Sequence, residues 1–213
     1  METSLLYETF TLGPLNNNSY LIIDPETKET AIIDPPMDSS DILEYIKEKA
    51  YNLAQVWLTH AHFDHIGGIP QITSALQKKP VIGLHPLDSE LYQMQGGAAL
   101  FGYHLPVLSI PTMQFFHNQK IKLGQGYVEV RHTPGHTSGH VIFVIHEAGL
   151  AFCGDLIFYH SVGRTDLPGG NHANLIRSIE TQILSLPSET RLLSGHGPAT
   201  TIAEEIKENP YIF

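Results

Sequence analysis

The sequence predicts an α/β fold in which two layers, each made of a sheet and its helices, pack face to face as a four-layer αββα sandwich. Short strand patterns occur in both halves of the chain, and amphipathic helical patterns lie between them. No linker or low-complexity tract divides the 213 residues, and a hydrophobic content of 42% suffices for one substantial core. We therefore expect a single domain over residues 1–213.

The first half of the chain begins with an antiparallel meander and continues with alternating helices and strands. Gly13 and Pro14 mark the first turn, and Ser39 or Ser40 is the expected N-cap of the first helix. The predicted strands are 5–11, 19–24, 30–34, 53–59 and 81–84, and the predicted helices are 40–49, 69–76 and 87–100.

The second half repeats this alternation after a stretch without periodicity. Residues 101–118 are rich in aromatic residues, prolines and polar groups, which is typical of a surface loop, and we take this loop as a candidate substrate lid. The strands predicted beyond it are 127–131, 140–145, 150–153 and 191–193, and the helices are 173–186 and 202–207.

The amino-acid composition limits the kinds of molecule that the protein could bind. A formal net charge of -10, from 12 basic and 22 acidic residues, argues against binding to nucleic acid or to an anionic membrane. No apolar run approaches the roughly 18 residues of a membrane-spanning helix, and the first residues lack a signal-peptide pattern. One cysteine, Cys153, cannot form an internal disulfide and is expected to be a core thiol. We expect a cytoplasmic protein with a small-molecule substrate; the sequence does not indicate its oligomeric state.

A dense group of metal-binding side chains follows the strand predicted at 53–59. The segment 60–65 reads HAHFDH and places three imidazoles and one carboxylate within six positions. Burial of several ionisable groups side by side is costly unless a cation or partner compensates. The segment therefore predicts a divalent metal site, with four candidate ligands: His60, His62, Asp64 and His65.

Three further donors share this context, because each follows a predicted strand and has neighbouring glycines that let backbone approach closely. They are His136, Asp155 and His196. Seven donors exceed what one tetrahedral zinc needs, but they match two ions that share a carboxylate and a solvent oxygen. All are nitrogen or oxygen ligands, compatible with zinc, iron or manganese.

The order of these motifs resembles the metallo-β-lactamase superfamily: H-x-H-x-D-H, then P-G-H-T, G-D and finally G-H-G. Asp155 occupies the position where true β-lactamases use cysteine, and together with the stretch 163–170 it resembles the small, single-domain members of the glyoxalase II-like branch. The resemblance implies the αββα fold of that superfamily. It also implies that His60, His62 and His136 hold a first ion, that Asp64, His65 and His196 hold a second, and that Asp155 bridges the two.

The function that this resemblance implies is that of a dinuclear metallohydrolase cleaving a thioester such as a hydroxyacylglutathione, or a related ester. A water between two divalent ions becomes a hydroxide nucleophile near neutral pH and attacks the carbonyl, with zinc favoured and iron or manganese as alternatives. Asp64 and Asp155 are the candidate catalytic carboxylates. Larger glyoxalase II enzymes continue into a helical domain that supplies glutathione-binding residues, so a different acyl substrate is an alternative.

Other functions remain open at this stage. A mononuclear iron persulfide dioxygenase would need only His60, His136 and Asp155, and a lactonase would use the full ligand set. Arg164, His172 and Tyr159 are candidate substrate contacts, although Arg164 could instead pair with Asp166. Three other histidines near strand ends are candidates for orienting the ligands: His85, His132 and His140.

Overall fold

Two six-stranded mixed sheets form the centre of the molecule, and the computed structural model describes residues 5–212. In the first sheet the strands run in chain order, antiparallel over the first three and parallel over the rest. Its strands are β1 (Leu6–Leu12), β2 (Asn17–Ile23), β3 (Glu29–Ile33), β4 (Asn52–Trp57), β5 (Val81–Leu84) and β6 (Met113–Gln114).

The second sheet has the order β14-β13-β10-β9-β8-β7, and its single parallel pair is β10 with β13. Strands β11 and β12 form a separate hairpin. The strands are β7 (Gln119–Leu123), β8 (Gly126–His132), β9 (Val141–Ile145), β10 (Leu150–Gly154), β11 (Ile157–Phe158), β12 (Ser161–Val162), β13 (Arg191–Ser194) and β14 (Thr200–Thr201).

Helices cover the outer face of each sheet. Short 3-10 turns lie at Pro86–Asp88, Gln95–Phe101 and His146–Ala148, and a π-helical turn at Ile179–Ile183 extends the fifth helix. Among the described residues, every helix is too short or too polar to span a lipid bilayer. The helices are α1 (Ser40–Glu48), α2 (Phe63–Ile66), α3 (Ile69–Ala75), α4 (Ser89–Gln93), α5 (His172–Ser178) and α6 (Ile202–Glu208).

Three apolar clusters separate the four layers and confirm the predicted αββα arrangement. Along β2, alternate side chains face opposite ways: Leu21 packs under the helices of the first sheet, and Ile22 packs between the sheets. Trp57 and Phe143 meet in the middle cluster with ring centroids 5.5 Å apart. Because both faces of each sheet are covered, the central strands read as continuous apolar runs rather than as alternating ones.

The third cluster lies between the second sheet and its helices and contains Cys153, packed with residues such as Leu175 and Ile179. Burial raises the pKa of the Cys153 thiol to about 12. The prediction of a core thiol is confirmed.

Several predicted boundaries differ from the structure. The helix predicted over 87–100 breaks into α4 and a 3-10 turn, because Gly96 and Gly97 adopt φ of 63° and 75°. Strand β7 was not predicted, although Ile121 and Leu123 alternate with exposed lysines. The hairpin of β11 and β12 was also missed, since two-residue strands leave too short a pattern to detect.

Candidate metal centre

The predicted ligands gather at one edge of the molecule, where the carboxyl ends of strands from both sheets meet. The segment with His60 to His65 follows β4, Asp155 follows β10, and His196 follows β13. His136 lies in the connection between β8 and β9. Ligand sites commonly form at such strand ends because the following loops converge there.

A first group of donors consists of His60, His62 and His136, whose ligand atoms all lie within 4.8 Å of one another. His62 Nδ1 is 2.8 Å from His136 Nε2. Burial, reinforced by the neighbouring imidazoles, lowers the pKa of His62 to about 3 and that of His60 well below its ordinary value. These rings are therefore neutral, which is the form that binds a metal.

A second group consists of Asp64, His65 and His196, again with ligand atoms within 4.8 Å of one another. Asp64 Oδ2 lies 3.5 Å from His65 Nε2 and 3.3 Å from His196 Nε2. Desolvation alone would raise the pKa of Asp64, but His65 and His196 outweigh it and lower that pKa to about 2. Asn17 Nδ2 donates to the same carboxylate oxygen at 2.8 Å.

Asp155 lies between the two groups, and its carboxylate faces both. Its Oδ1 is 3.4 Å from His65 Nε2, and its Oδ2 is 3.6 Å from His136 Nε2. The same Oδ2 is also 3.8 Å from His196 Nε2. The charge on His65 holds the pKa of Asp155 below its ordinary value despite desolvation, and the carboxylates in turn raise the pKa of His65 against its own desolvation. A proton therefore competes with a cation at this position.

The donor set fits divalent metal ions. Within the described residues, His60 Nε2, His65 Nε2 and Asp155 Oδ1 are buried ligand atoms without a hydrogen-bond partner. A buried polar atom left unpaired costs about 1–3 kcal/mol, and carboxylates cost more. Metal coordination would satisfy all three atoms, and their nitrogen and oxygen chemistry suits zinc, iron or manganese.

Asp34 orients two of the ligand histidines, and sequence reasoning missed it. Its Oδ2 accepts hydrogen bonds from His65 Nδ1 at 3.0 Å and from Thr59 Oγ1 at 2.5 Å, while its Oδ1 accepts from the Thr59 N–H at 2.7 Å. Thr59 Oγ1 in turn accepts from His60 Nδ1 at 3.0 Å. Both rings therefore present Nε2 as the free ligand atom. Asp34 directly follows β3, the same context at a strand end as the predicted ligands.

Asp88 connects the two loops that carry the first group of donors. It accepts hydrogen bonds from Ala61 N at 3.0 Å, from Thr137 Oγ1 at 2.8 Å and from Gly139 N at 2.6 Å. Ala61 separates His60 from His62, so the carboxylate holds the backbone of both ligands. The sequence showed Asp88 only as the start of a helix.

His140, one of the three candidates for orienting the ligands, contacts the backbone of Asp155. Its Nε2 accepts a hydrogen bond from the Asp155 N–H at 3.2 Å, and its Nδ1 lies 2.9 Å from Thr133 Oγ1. His85 and His132 instead stack on each other with centroids 4.1 Å apart.

A cavity of about 300 Å³ opens onto the donors and is also lined by Leu15, Phe101, Arg164 and Leu167. The Arg164 guanidinium forms a bidentate pair with Asp166 at 2.7 and 2.8 Å, as the alternative interpretation had it. Its carbonyl accepts from His136 Nδ1 at 2.8 Å and so orients that ligand. Arg164 thus lies at the cavity in a positioning role.

The other two predicted substrate contacts, Tyr159 and His172, do not line this cavity. The reason is local: Tyr159 stacks on His160 and is 46% exposed, and His172 points into solvent at the start of α5. The lid predicted over residues 101–118 reaches the cavity only at Phe101. Elsewhere in that segment Leu105 is buried in the core cluster of the first sheet and Tyr103 stacks on Phe63 at 5.2 Å, whereas Val107 and Ile110 are 91% and 82% exposed.

Residues 12–196 match the family model of the metallo-beta-lactamase superfamily. The chain belongs to this superfamily. It is 35% identical over 209 residues to the hydroxyacylglutathione hydrolase GloC of Haemophilus influenzae, covering 96% of this chain and 97% of that protein. It is also 35% identical over 205 residues to the probable metallo-hydrolase YqgX of Bacillus subtilis, covering 94% of each. These similarities support the glyoxalase II-like branch, and the chain is a metallo-hydrolase of this fold.

Solved structures of the superfamily agree closely with this fold. BLEG-1, a B3 metallo-beta-lactamase, superposes with a TM-score of 0.90 at 32% identity, covering 97% of this chain and 99% of that one. TTHA1623, solved in a di-iron-bound form, superposes with a TM-score of 0.87 at 38% identity over 96% and 99%. ETHE1 from Myxococcus xanthus superposes with a TM-score of 0.81 at 26% identity over 96% and 83%.

Proposed function

We propose that this chain is a dinuclear metallohydrolase that cleaves thioesters of the hydroxyacylglutathione type. The observation that carries the proposal is the position of Asp155, whose carboxylate oxygens lie within 4 Å of histidines from both three-donor groups. The 35% identity to a hydroxyacylglutathione hydrolase supports the substrate class. Zinc is the favoured metal, and similarity to a protein solved in a di-iron form makes iron the first alternative.

Two divalent ions held by these residues would supply a Lewis acid for the carbonyl and a hydroxide nucleophile near neutral pH. The chain itself supplies position and charge. Asp64 and Asp155 contribute the negative charge of the site, and Asn17 fixes the orientation of Asp64 by donating to its Oδ2. Leu15 and Phe101 line the cavity with apolar surface, which lowers the local dielectric and strengthens the electrostatic interactions of a bound carbonyl.

Metal analysis and a hydrolysis assay test this function together. We expect about two tightly bound ions per chain and turnover of S-lactoylglutathione after loading with zinc or iron. Fewer than about one ion per chain together with no thioester hydrolysis would refute the proposal.

Replacement of Asp64 by alanine tests the second group of donors. Asp64→Ala removes the only carboxylate of that group, so we expect metal content to fall towards one ion per chain and hydrolysis to fall by at least about 100-fold. Asp41→Ala, at an exposed carboxylate on α1, is the matched control. Circular dichroism checks that both variants fold, and unchanged turnover in Asp64→Ala would contradict the two-metal assignment.

A second candidate function uses a subset of the same residues. His136 Nε2 lies 3.6 Å from Asp155 Oδ2, and the ring centroids of His60 and His136 are 4.7 Å apart, so the two histidines and one carboxylate typical of a mononuclear iron site lie together. Such a persulfide dioxygenase would not need Asp64. Oxygen uptake by the iron-loaded protein with glutathione persulfide, retained in Asp64→Ala, would favour it, and a lactone panel tests the related lactonase activity.

A further inference from the structure

We propose that an apolar groove beside the metal centre binds the acyl chain of the substrate, so that the enzyme prefers thioesters with uncharged hydrocarbon acyl groups. This inference rests on the proposed function and names its substrate class. The groove has a volume of about 250 Å³ and shares His62, Phe101 and Leu167 with the cavity at the metal ligands. A substrate whose carbonyl lies at the ligands can therefore extend its chain into the groove.

Several large apolar side chains in the walls of the groove are mostly exposed to solvent. Leu87, Met94 and Leu100 are 61%, 65% and 71% exposed. Contiguous apolar surface of this kind marks a ligand-binding groove, because leaving it in water is unfavourable. The apolar side chains that line the groove are Leu87, Leu91, Met94, Leu100, Phe101 and Leu167.

These side chains do not belong to a loosely attached segment. Tyr92 is buried in the core cluster of the first sheet, and its hydroxyl donates to the Ser109 carbonyl at 2.6 Å. Ala98 is buried in the same cluster. Gly96 lies so close to the metal-binding segment that a Cβ would come within 2.3 Å of Phe63 N. The segment is thus anchored on one face and presents its apolar face to the groove.

Charges around the groove disfavour an anionic occupant. Within the described residues, no lysine or arginine lines it, while Asp88 and Glu90 do. The one arginine at the adjoining cavity, Arg164, is already paired with Asp166. The glutathione half of a thioester carries carboxylates and finds no free cation here. The uncharged acyl chain is the half that fits.

A series of acyl-glutathiones measures this preference on the metal-loaded enzyme. From butanoyl to hexanoyl we expect kcat/KM to rise by about threefold to fourfold for each methylene buried, and both chains to exceed lactoyl. A flat or falling series would overturn the inference. A matched series in which the thiol is lengthened instead should show no such rise; dependence on the thiol alone would assign the groove to the leaving group and overturn it as well.

Two substitutions that each introduce a carboxylate at an exposed position distinguish an effect on the groove from a general effect of added surface charge. Met94→Glu places a carboxylate in the wall, and we expect hexanoyl turnover to fall by at least about tenfold while lactoyl turnover stays within about twofold. Tyr127→Glu is the matched control, because Tyr127 is 57% exposed on β8 and does not line the groove. Equal losses on all substrates in Met94→Glu would contradict the assignment.

A binding measurement distinguishes failure of the inference from failure of the proposed function. Uncleavable analogues, in which a methylene separates the sulfur from the carbonyl, are titrated by calorimetry. Tighter binding of longer chains, lost in Met94→Glu, supports the groove even if no thioester is hydrolysed, in which case only the proposed function fails. Hydrolysis with binding that is independent of chain length leaves the proposed function intact and overturns the groove.

Discussion

Single carboxylates outside the two donor groups determine how the candidate metal ligands are oriented. Asp34 holds His65 directly and His60 through Thr59, so one side chain sets the direction of two imidazoles in different groups. Such partners of metal ligands typically contribute 10–100-fold to metal affinity or activity. The positive φ of Asp34, 50°, is a strained conformation that the surrounding hydrogen bonds maintain.

Substitution of Asp34 should weaken metal binding without removing a ligand. Asp34→Asn keeps one acceptor oxygen but loses the charge that favours the Nδ1–H form of His65, so we expect zinc affinity to fall by about 10–100-fold. Competition with a chromophoric chelator measures it. Asp38→Asn is the control, because Asp38 is exposed and also has a positive φ, of 63°. Unchanged affinity would mean that packing alone holds the two rings.

Asp88 acts on stability as well as on the site. Asp88→Ala leaves the buried donors of Ala61, Thr137 and Gly139 without an acceptor, at about 1–3 kcal/mol for each unsatisfied group. We expect the free energy of unfolding to fall by about 3 kcal/mol or more in urea denaturation. Asp88→Asn, which keeps one acceptor oxygen, should lose less, and Glu90→Ala at an exposed position should lose little. Equal stability of all three variants would show that the contacts are not maintained in solution.

The difference between predicted and missed residues has a physical origin. The candidate ligands could be named from the sequence because their chemistry is concentrated in short motifs, as in the segment 60–65. Asp34 and Asp88 act through contacts with residues 25 to 51 positions away, which only the folded chain brings together. Tyr159 and His172 flank the stretch 163–170 in the sequence, yet both side chains are exposed in the folded chain and neither lines the cavity.

At the level of elements, the segment that follows β5 combines a short helix with glycine turns rather than one long helix. This break lets Gly96 approach the backbone of Ala61 and Phe63, where no side chain has room. The apolar pattern of residues 87–100 was correctly detected, but periodicity cannot reveal that a neighbouring loop requires a glycine. Strand β7 shows the opposite case, since its alternation of lysines with Ile121 and Leu123 was detectable and was overlooked.

A pair of glycine substitutions separates backbone strain from close packing. Gly96 and Gly102 both have positive φ, of 63° and 79°, but a Cβ would meet Phe63 N at 2.3 Å in the first and nothing within 4 Å in the second. Gly102→Ala should therefore cost about 1 kcal/mol from φ alone, whereas Gly96→Ala should lower Tm further and also weaken zinc binding. Thermal melts with and without zinc measure both effects. A similar loss in the two variants would contradict the close packing.

For the whole molecule, the two sheets are joined away from the metal centre as well as at it. Asp24, at the end of β2, accepts hydrogen bonds from the Glu26 and Thr27 N–H groups at 2.8 and 2.9 Å, and also from the Gln125 N–H in the turn between β7 and β8. Desolvation would raise the pKa of Asp24, but these backbone donors outweigh it and lower that pKa below its ordinary value. The ionised carboxylate therefore stabilises the contact between the sheets.

This link predicts a pH dependence of stability. Because the pKa of Asp24 is lower in the folded state, its stabilisation is complete above the unfolded value of about 3.9 and disappears as pH falls through the folded value. Wild type should thus exceed Asp24→Asn in free energy of unfolding at pH 7, and the difference should narrow below about pH 4. Urea denaturation with a chelator present excludes effects of metal release. A difference that stays constant from pH 7 to about pH 3 would contradict this role.

The layered architecture was predictable because strands and helices alternate in both halves of the chain, while strand order was not. The parallel pairing of β10 with β13 brings Asp155 and His196 to the same edge, although they are 41 positions apart in the sequence. Such pairings depend on tertiary packing of apolar faces, and several orders of the same strands would bury those faces equally well.

The buried position of Cys153 protects its thiol from oxidation while the protein is folded. The thiol is enclosed between the second sheet and its outer helices, and burial keeps it protonated. Oxidants react with exposed thiolates, so they can reach this sulfur only after the outer helices have separated from the sheet. Oxidative damage at Cys153 would therefore follow unfolding rather than cause it.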